Sequence, residues 1–170
     1  MVRGKTRKNA RKGASKAAAE TGIRREMLRR VQGSNSSKTF GLRLREVRRG
    51  RVTMEMRAQP RFLQVEGRVH GGVIALLADT AGALAVYSAL PARTRLVTLE
   101  MKINFLAGIK GGTITALGKV LRVGRNTGVS ECEVRDAHGR LAAKALLTVA
   151  IAPPPESFPR SESSAREREN

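Results

Sequence analysis

Tryptophan is absent from this chain of 170 residues; tyrosine and cysteine occur once each, and histidine twice. Each scarcity narrows the chemistry. The single Cys132 can form neither an intramolecular disulfide nor a thiolate cluster. With only His70 and His138 beside it, a zinc site is not expected, and no pattern asks for another cofactor. Aromatics are 3% of the residues, so Leu, Val, Ile and Ala must fill any core. There is no Gly-x-Ser-x-Gly turn to present a nucleophilic serine. No apolar stretch follows the basic start, so a secretory signal is not expected. A reducing, cytoplasmic setting is the default for such a chain.

Acids are scarce too. Fourteen Asp and Glu stand against 33 Lys and Arg, a net charge of +19. The excess is uneven: residues 1–33 hold eleven bases and two acids, and residues 58–155 hold twelve and six. Residues 1–36 therefore read as a basic, largely disordered arm. Within it, Ile23, Met27, Leu28 and Val31 share one face and predict a short helix. Ser34-Asn35-Ser36-Ser37 reads as a linker. Such an arm suits an anionic surface, nucleic acid or plain solvation. Without interleaved aromatics it is a poor platform for unpaired bases. Residues 37–152 are expected to fold, and the charged stretch 153–170, opening on three prolines, to be a disordered tail.

The rest is organised around one stretch, His70-Gly71-Gly72 followed by an apolar run to Leu90 that contains one acid, Asp79. Pro91 stops it, so a helix is expected. Glycine amides at a helix start are unpaired donors at the positive end of its dipole, suited to an anion or an oxyanion. A carboxylate among apolar neighbours titrates high unless a donor or a water-filled cleft compensates, and such groups often serve as general bases or nucleophiles. Eight residues separate Gly71 from Asp79, about 12 Å along a helix. One amide and one carboxylate of a single chain cannot meet on one carbonyl carbon over that span. Two antiparallel copies across a twofold axis could bring them together. The run also approaches the length of a membrane span, with Asp79 against it. A buried core helix with a structural Asp79, and a His70 that merely caps, are the plainer alternatives.

Strand patterns flank the helix. Phe40 to Val47 alternates, Arg48–Arg51 turns, and residues 52–58 return. After the helix, Leu99, Met101, Ile103 and Phe105 are expected on one face, with Thr98, Glu100, Lys102 and Asn104 on the other. Three more strands follow at 113–123, 129–135 and 141–151, joined by the turns Gly124–Gly128 and Asp136-Ala137-His138-Gly139. Short connections favour antiparallel pairing, and a lone apolar helix must be covered by the sheet. The fold class is α+β, an antiparallel sheet curled around one long helix.

These residues carry a resemblance. Leu63 through Gly72, then Ala78-Asp79-Thr80-Ala81, closely resemble the phenylacetate-degradation (PaaI-like) acyl-CoA thioesterases of the hotdog fold. Thr98 through Leu106, Gly124-Arg125 and Asp136 through Ala142 match that family's later strand and turns. The resemblance spans residues 40–151. It implies that Asp79 acts as general base on water or as nucleophile on the thioester carbonyl. It implies that the Gly71 N–H binds the thioester oxygen, with Gly72 beside it in the substrate site, and that His70 orients the loop. Gln64 falls where many members have Asn to position the carbonyl or water, and is one methylene longer. Thr98 falls where a Ser or Thr orients the attacking water. Ala107-Gly108 replaces the usual Pro. The family is dimeric or tetrameric, with Gly and Asp from different subunits, and needs no cofactor. Coenzyme A is polyanionic, and Arg122, Arg125 and Asn126 are candidates for its phosphates. Two other functions fit the same fold. One is a non-catalytic acyl-CoA-binding module, tethered to nucleic acid by the arm. The other is a dehydratase, though no second acid accompanies His70 in the motif.

Overall fold

The long helix α3 spans Gly71–Ser88, and it forms for local reasons. His70 caps its start: its backbone is extended (φ −59°, ψ 136°) and its Nδ1 accepts from the Gly72 N–H at 3.0 Å. Ile74, Leu77, Ala78, Ala81, Gly82 and Ala85 recur at helical spacing and are buried. Ala89 ends the helix two residues before Pro91. The helix is long and apolar enough to cross a bilayer, but half of it is buried inside the protein. It is the core helix of the fold.

The structure, a computed structural model, describes residues 21–152. The ends for which disorder was expected, 1–20 and 153–170, lie outside the described residues. Six strands form one antiparallel sheet: β1 (Arg43–Arg48), β2 (Arg51–Arg57), β3 (Arg95–Phe105), β4 (Thr113–Val123), β5 (Thr127–Arg135) and β6 (Leu141–Ala152). Their order is β1-β2-β4-β5-β6-β3, so β3 is an edge strand. The inner face presents Val52, Met54, Ile114, Ala116, Cys132, Val134, Leu147 and Val149 to α3, all buried. Burial pushes the Cys132 thiol up to about 12, with the nearby Glu133 charge adding to it, so the lone cysteine is an inert core residue.

Two expectations need correction. The short helix expected on the Ile23, Met27, Leu28 and Val31 face is present as α1, described residues 21–33, but a second helix, α2 (Asn35–Phe40), stands where a linker was expected. Met27 and Val31 of the helical face are buried in the core, and that burial holds the helix down. The expected linker contains a helix start: Ser34 caps α2 by accepting from the Ser37 N–H, and Ser37 is buried. Phe40 ends α2 rather than opening a strand, and stacks on Phe62 with ring centroids 5.2 Å apart. The second correction is in β3, whose pairing with β6 shifts register between Thr98 and Glu100. This bulge places Leu99 outside with Val97, each 59% exposed, and puts half-buried Thr98 on the inner side with Leu96, Met101 and Ile103.

Glycines let the helix lie close on the sheet. A Cβ on Gly118 of β4 would stand 2.2 Å from the backbone oxygen of Ala81 in α3. Backbone cannot step aside as a side chain can. Gly118→Ala is therefore expected to lower stability by about 3 kcal/mol, the upper end of the overpacking range, in a denaturant melt. A loss under about 1 kcal/mol would contradict this close approach.

Candidate active site

Asp79 sits halfway along α3 and is half-buried. The β3 bulge brings Thr98 to it: Thr98 Oγ1 donates to Asp79 Oδ1 at 2.7 Å. The compensating donor that a carboxylate needs in apolar surroundings is thus present. The second oxygen, Oδ2, accepts no hydrogen bond from any described residue.

The start of the helix is a separate place. The Gly72 N–H is taken by His70 Nδ1, which puts the ring proton of the neutral imidazole on Nε2. Among the described residues nothing accepts from the Gly71 N–H, so of the two glycine amides it is the one open to a ligand. Gly71 leaves the helix start uncrowded: a Cβ there would lie 3.1 Å from Cζ of Phe105, whose ring covers the helix start and would have to give by a few tenths of an ångström. Gly71 lines a cavity of about 390 Å³ together with Gln64, Arg68, Ile74, Phe105 and Gly108. The sequence-predicted residues therefore fall into two groups within one protomer. Gln64 and Gly71 share this cavity, with His70 as the cap beside it. Asp79 and Thr98 lie about 12 Å further along the helix axis.

A second cavity, of about 440 Å³, adjoins the first and shares Arg68 and the segment 106–108 with it. It adds Lys110, His138 and Arg140. Arg140 is committed: its Nε donates to Asp136 Oδ2 at 3.0 Å and its Nη2 to the Gly108 oxygen at 3.0 Å. Arg68 and Lys110 have no carboxylate partner among the described residues. The Ala107-Gly108 replacement has a use here, since a Cβ on Gly108 would meet Arg68 Cδ at 2.5 Å. Arg122, Arg125 and Asn126 are exposed at the β4–β5 turn and line neither cavity. The sequence held a hint of the basic cavity, because Arg68 lies inside the motif and Lys110 and Arg140 sit beside glycines. Only the fold joins them. Among the described residues no three His, Cys, Asp or Glu side chains gather as metal ligands.

The chain matches the thioesterase superfamily over residues 66–143. It is 38% identical over 109 residues to a Saccharolobus solfataricus protein with an inferred esterase assignment, covering 64% of this chain and 77% of that one. It is 26% identical over 113 residues to the 1,4-dihydroxy-2-naphthoyl-CoA hydrolase of Listeria monocytogenes, covering 66% and 92%. In structure it resembles the E. coli PaaI protein of the phenylacetic acid degradation operon, with a TM-score of 0.74 at 23% identity over 79% of this chain and 96% of that one.

Proposed function

The chain belongs to the thioesterase superfamily and has the hotdog fold, and from that premise we propose that it is a PaaI-like enzyme that hydrolyses acyl-CoA to the free acid and coenzyme A. The observation that carries this is the Thr98–Asp79 hydrogen bond, a carboxylate held in one orientation with its second oxygen free. Asp79 takes a proton from water, whose oxygen bonds the carbonyl carbon, or attacks that carbon itself, leading to an acyl-Asp79 anhydride that water then hydrolyses. Thr98 fixes the carboxylate, as the resemblance implies for a residue that orders the attack. The Gly71 N–H, at the positive end of the α3 dipole, holds the oxygen as it gains charge. In this reading Gln64, which lines the same cavity as Gly71, holds the carbonyl or water, as the resemblance implies. The C–S bond then breaks, and the thiolate leaves with little need for a proton.

Gly71 and Asp79 act on one carbonyl if they come from two protomers. The edge strand β3 supports that arrangement: its outer side is unpaired in one protomer, and Val97, Leu99, Phe105 and Leu106 beside it are exposed. An edge of this kind is completed by a second copy across a twofold axis. The adjoining basic cavity suits the phosphates of coenzyme A, with Arg68 and Lys110 as free cations, in preference to the β4–β5 turn. The Listeria relative is named for a CoA thioester, which supports this leaving group.

Thiol release from acetyl-, octanoyl-, palmitoyl- and phenylacetyl-CoA tests the proposal. Turnover of at least one is expected. Acyl-CoA bound with no thiol released from any would move the function to a binding module.

A further inference from the structure

We propose that the groove between α1, α3 and β3 receives the acyl group, and that α1 limits its length; this rests on the acyl-CoA thioesterase function proposed above. The groove encloses about 380 Å³. Ala83, Leu84 and Tyr87 of α3, Leu96 of β3, and Val31 and Arg30 of α1 form its walls.

It opens beside the catalytic pair. Ala83 follows Asp79 by four residues, so the two share one helix face about 6 Å apart. Leu96 precedes Thr98 by two residues and is half-buried on the same side of β3, about 7 Å away. An acyl group whose carbonyl is at Asp79 can extend along this face of α3, past Thr80 and Ala83, into the groove. The far end is stoppered. Tyr87 lies eight residues past Asp79, about 12 Å along the helix. The Arg30 guanidinium sits over its ring, 4.1 Å from the centroid.

The stopper is pinned in place. Arg30 Nη2 donates to the Thr94 oxygen at 3.1 Å and pairs with Glu26 at 3.6 Å. Glu26 accepts from the Tyr87 hydroxyl and from the Arg93 N–H. Burial alone would raise the Glu26 carboxyl, but those hydrogen bonds and the Arg30 and Arg29 charges hold it below its ordinary value. Arg93 takes a left-handed backbone (φ 66°) to make its bond. Arg30 is thus neutralised by Glu26, and the Ser34 and Ser36 hydroxyls bond each other at 2.8 Å. Nothing in the groove asks for a charged ligand. Its chemistry fits an uncharged acyl chain of medium length, or a compact aryl group.

Two variants act in opposite directions. Ala83→Leu fills the groove near its mouth. It is expected to lower the ratio of kcat/KM for octanoyl-CoA over acetyl-CoA by about tenfold or more, the scale set by a few methylenes. Arg30→Ala removes the stopper and is expected to raise the palmitoyl-to-octanoyl ratio by about tenfold. Chain-length profiles unchanged in both variants would overturn the proposal. Calorimetric binding separates its failure from that of the hydrolase. If the wild type releases no thiol, octanoyl-CoA binding more tightly than CoA, with the difference lost in Ala83→Leu, upholds the acyl groove and removes only the catalytic function. Equal binding of octanoyl-CoA and CoA by the wild type overturns the groove.

Discussion

Asp79→Asn is expected to lower kcat/KM by about 10²–10⁴-fold on every acyl-CoA the wild type hydrolyses. That is about 3–5 kcal/mol of transition-state stabilisation. The substitution is chosen to spare the structure. Asn keeps an oxygen where Thr98 Oγ1 donates, so the 2.7 Å bond that seats residue 79 can persist. What it removes is a basic or nucleophilic oxygen. Thr98→Val is the complement: it leaves the carboxylate and deletes the donor that orients it, and is expected to cost about tenfold. The ranking matters more than either value. A base held by a positioning hydroxyl requires Asp79→Asn to be the worse variant by a wide margin. If Asp79→Asn, with an unchanged melting curve, stays within about threefold of wild type, the carboxylate is structural and the chemistry lies elsewhere.

Much of this was readable in the chain, and the failures have physical causes. Six strands and one helix followed from period-2 and period-3.6 patterns cut by glycine and proline, because each such pattern must bury one face. The position of Thr98 did not follow. A bulge is one extra residue without a signature of its own, yet it reverses the facing of the residues on one side of it. Strict alternation sends Thr98 outward; the bulge at Leu99 turns it toward Asp79. The α1 helix was legible from Ile23, Met27, Leu28 and Val31, but its docking and the helix α2 after it were not: the charge density suggests solvation, yet Met27 and Val31 are enough to bury one stripe, and Arg30 lies over Tyr87. The basic cavity was missed because Arg68, Lys110 and Arg140 are far apart in sequence and meet only when the loops around residues 68, 108 and 138 converge. The β4–β5 turn, rich in donors as a string, is remote from that convergence.

Gly71→Pro, measured against Gly71→Ala, is expected to lose a further 10²–10³-fold or so in kcat, the usual effect of deleting one oxyanion donor. Proline is normally a harsh substitution, but residue 71 is the first of α3, where its fixed φ suits the helix and no intrahelical bond needs its N–H. The preceding residue is compatible as well. His70 already has the extended backbone, ψ 136°, that proline imposes on its neighbour. Both variants bring a Cβ to 3.1 Å from the Phe105 ring, a half-exposed side chain able to shift. Their ratio therefore cancels the steric effect and isolates the N–H. The same pair of lesions tests whether the site is shared. In a mixed dimer of Asp79→Asn and Gly71→Pro protomers, a site built across the twofold axis leaves one centre intact and one doubly damaged. Equal mixing of the two inactive proteins then restores about a quarter of wild-type activity, since half of the dimers are mixed and each has one working centre. A site contained in one chain restores none. Recovery would tie the 12 Å between Gly71 and Asp79 to the unpaired edge of β3: the helix is too long to close the site alone, and a second helix closes it.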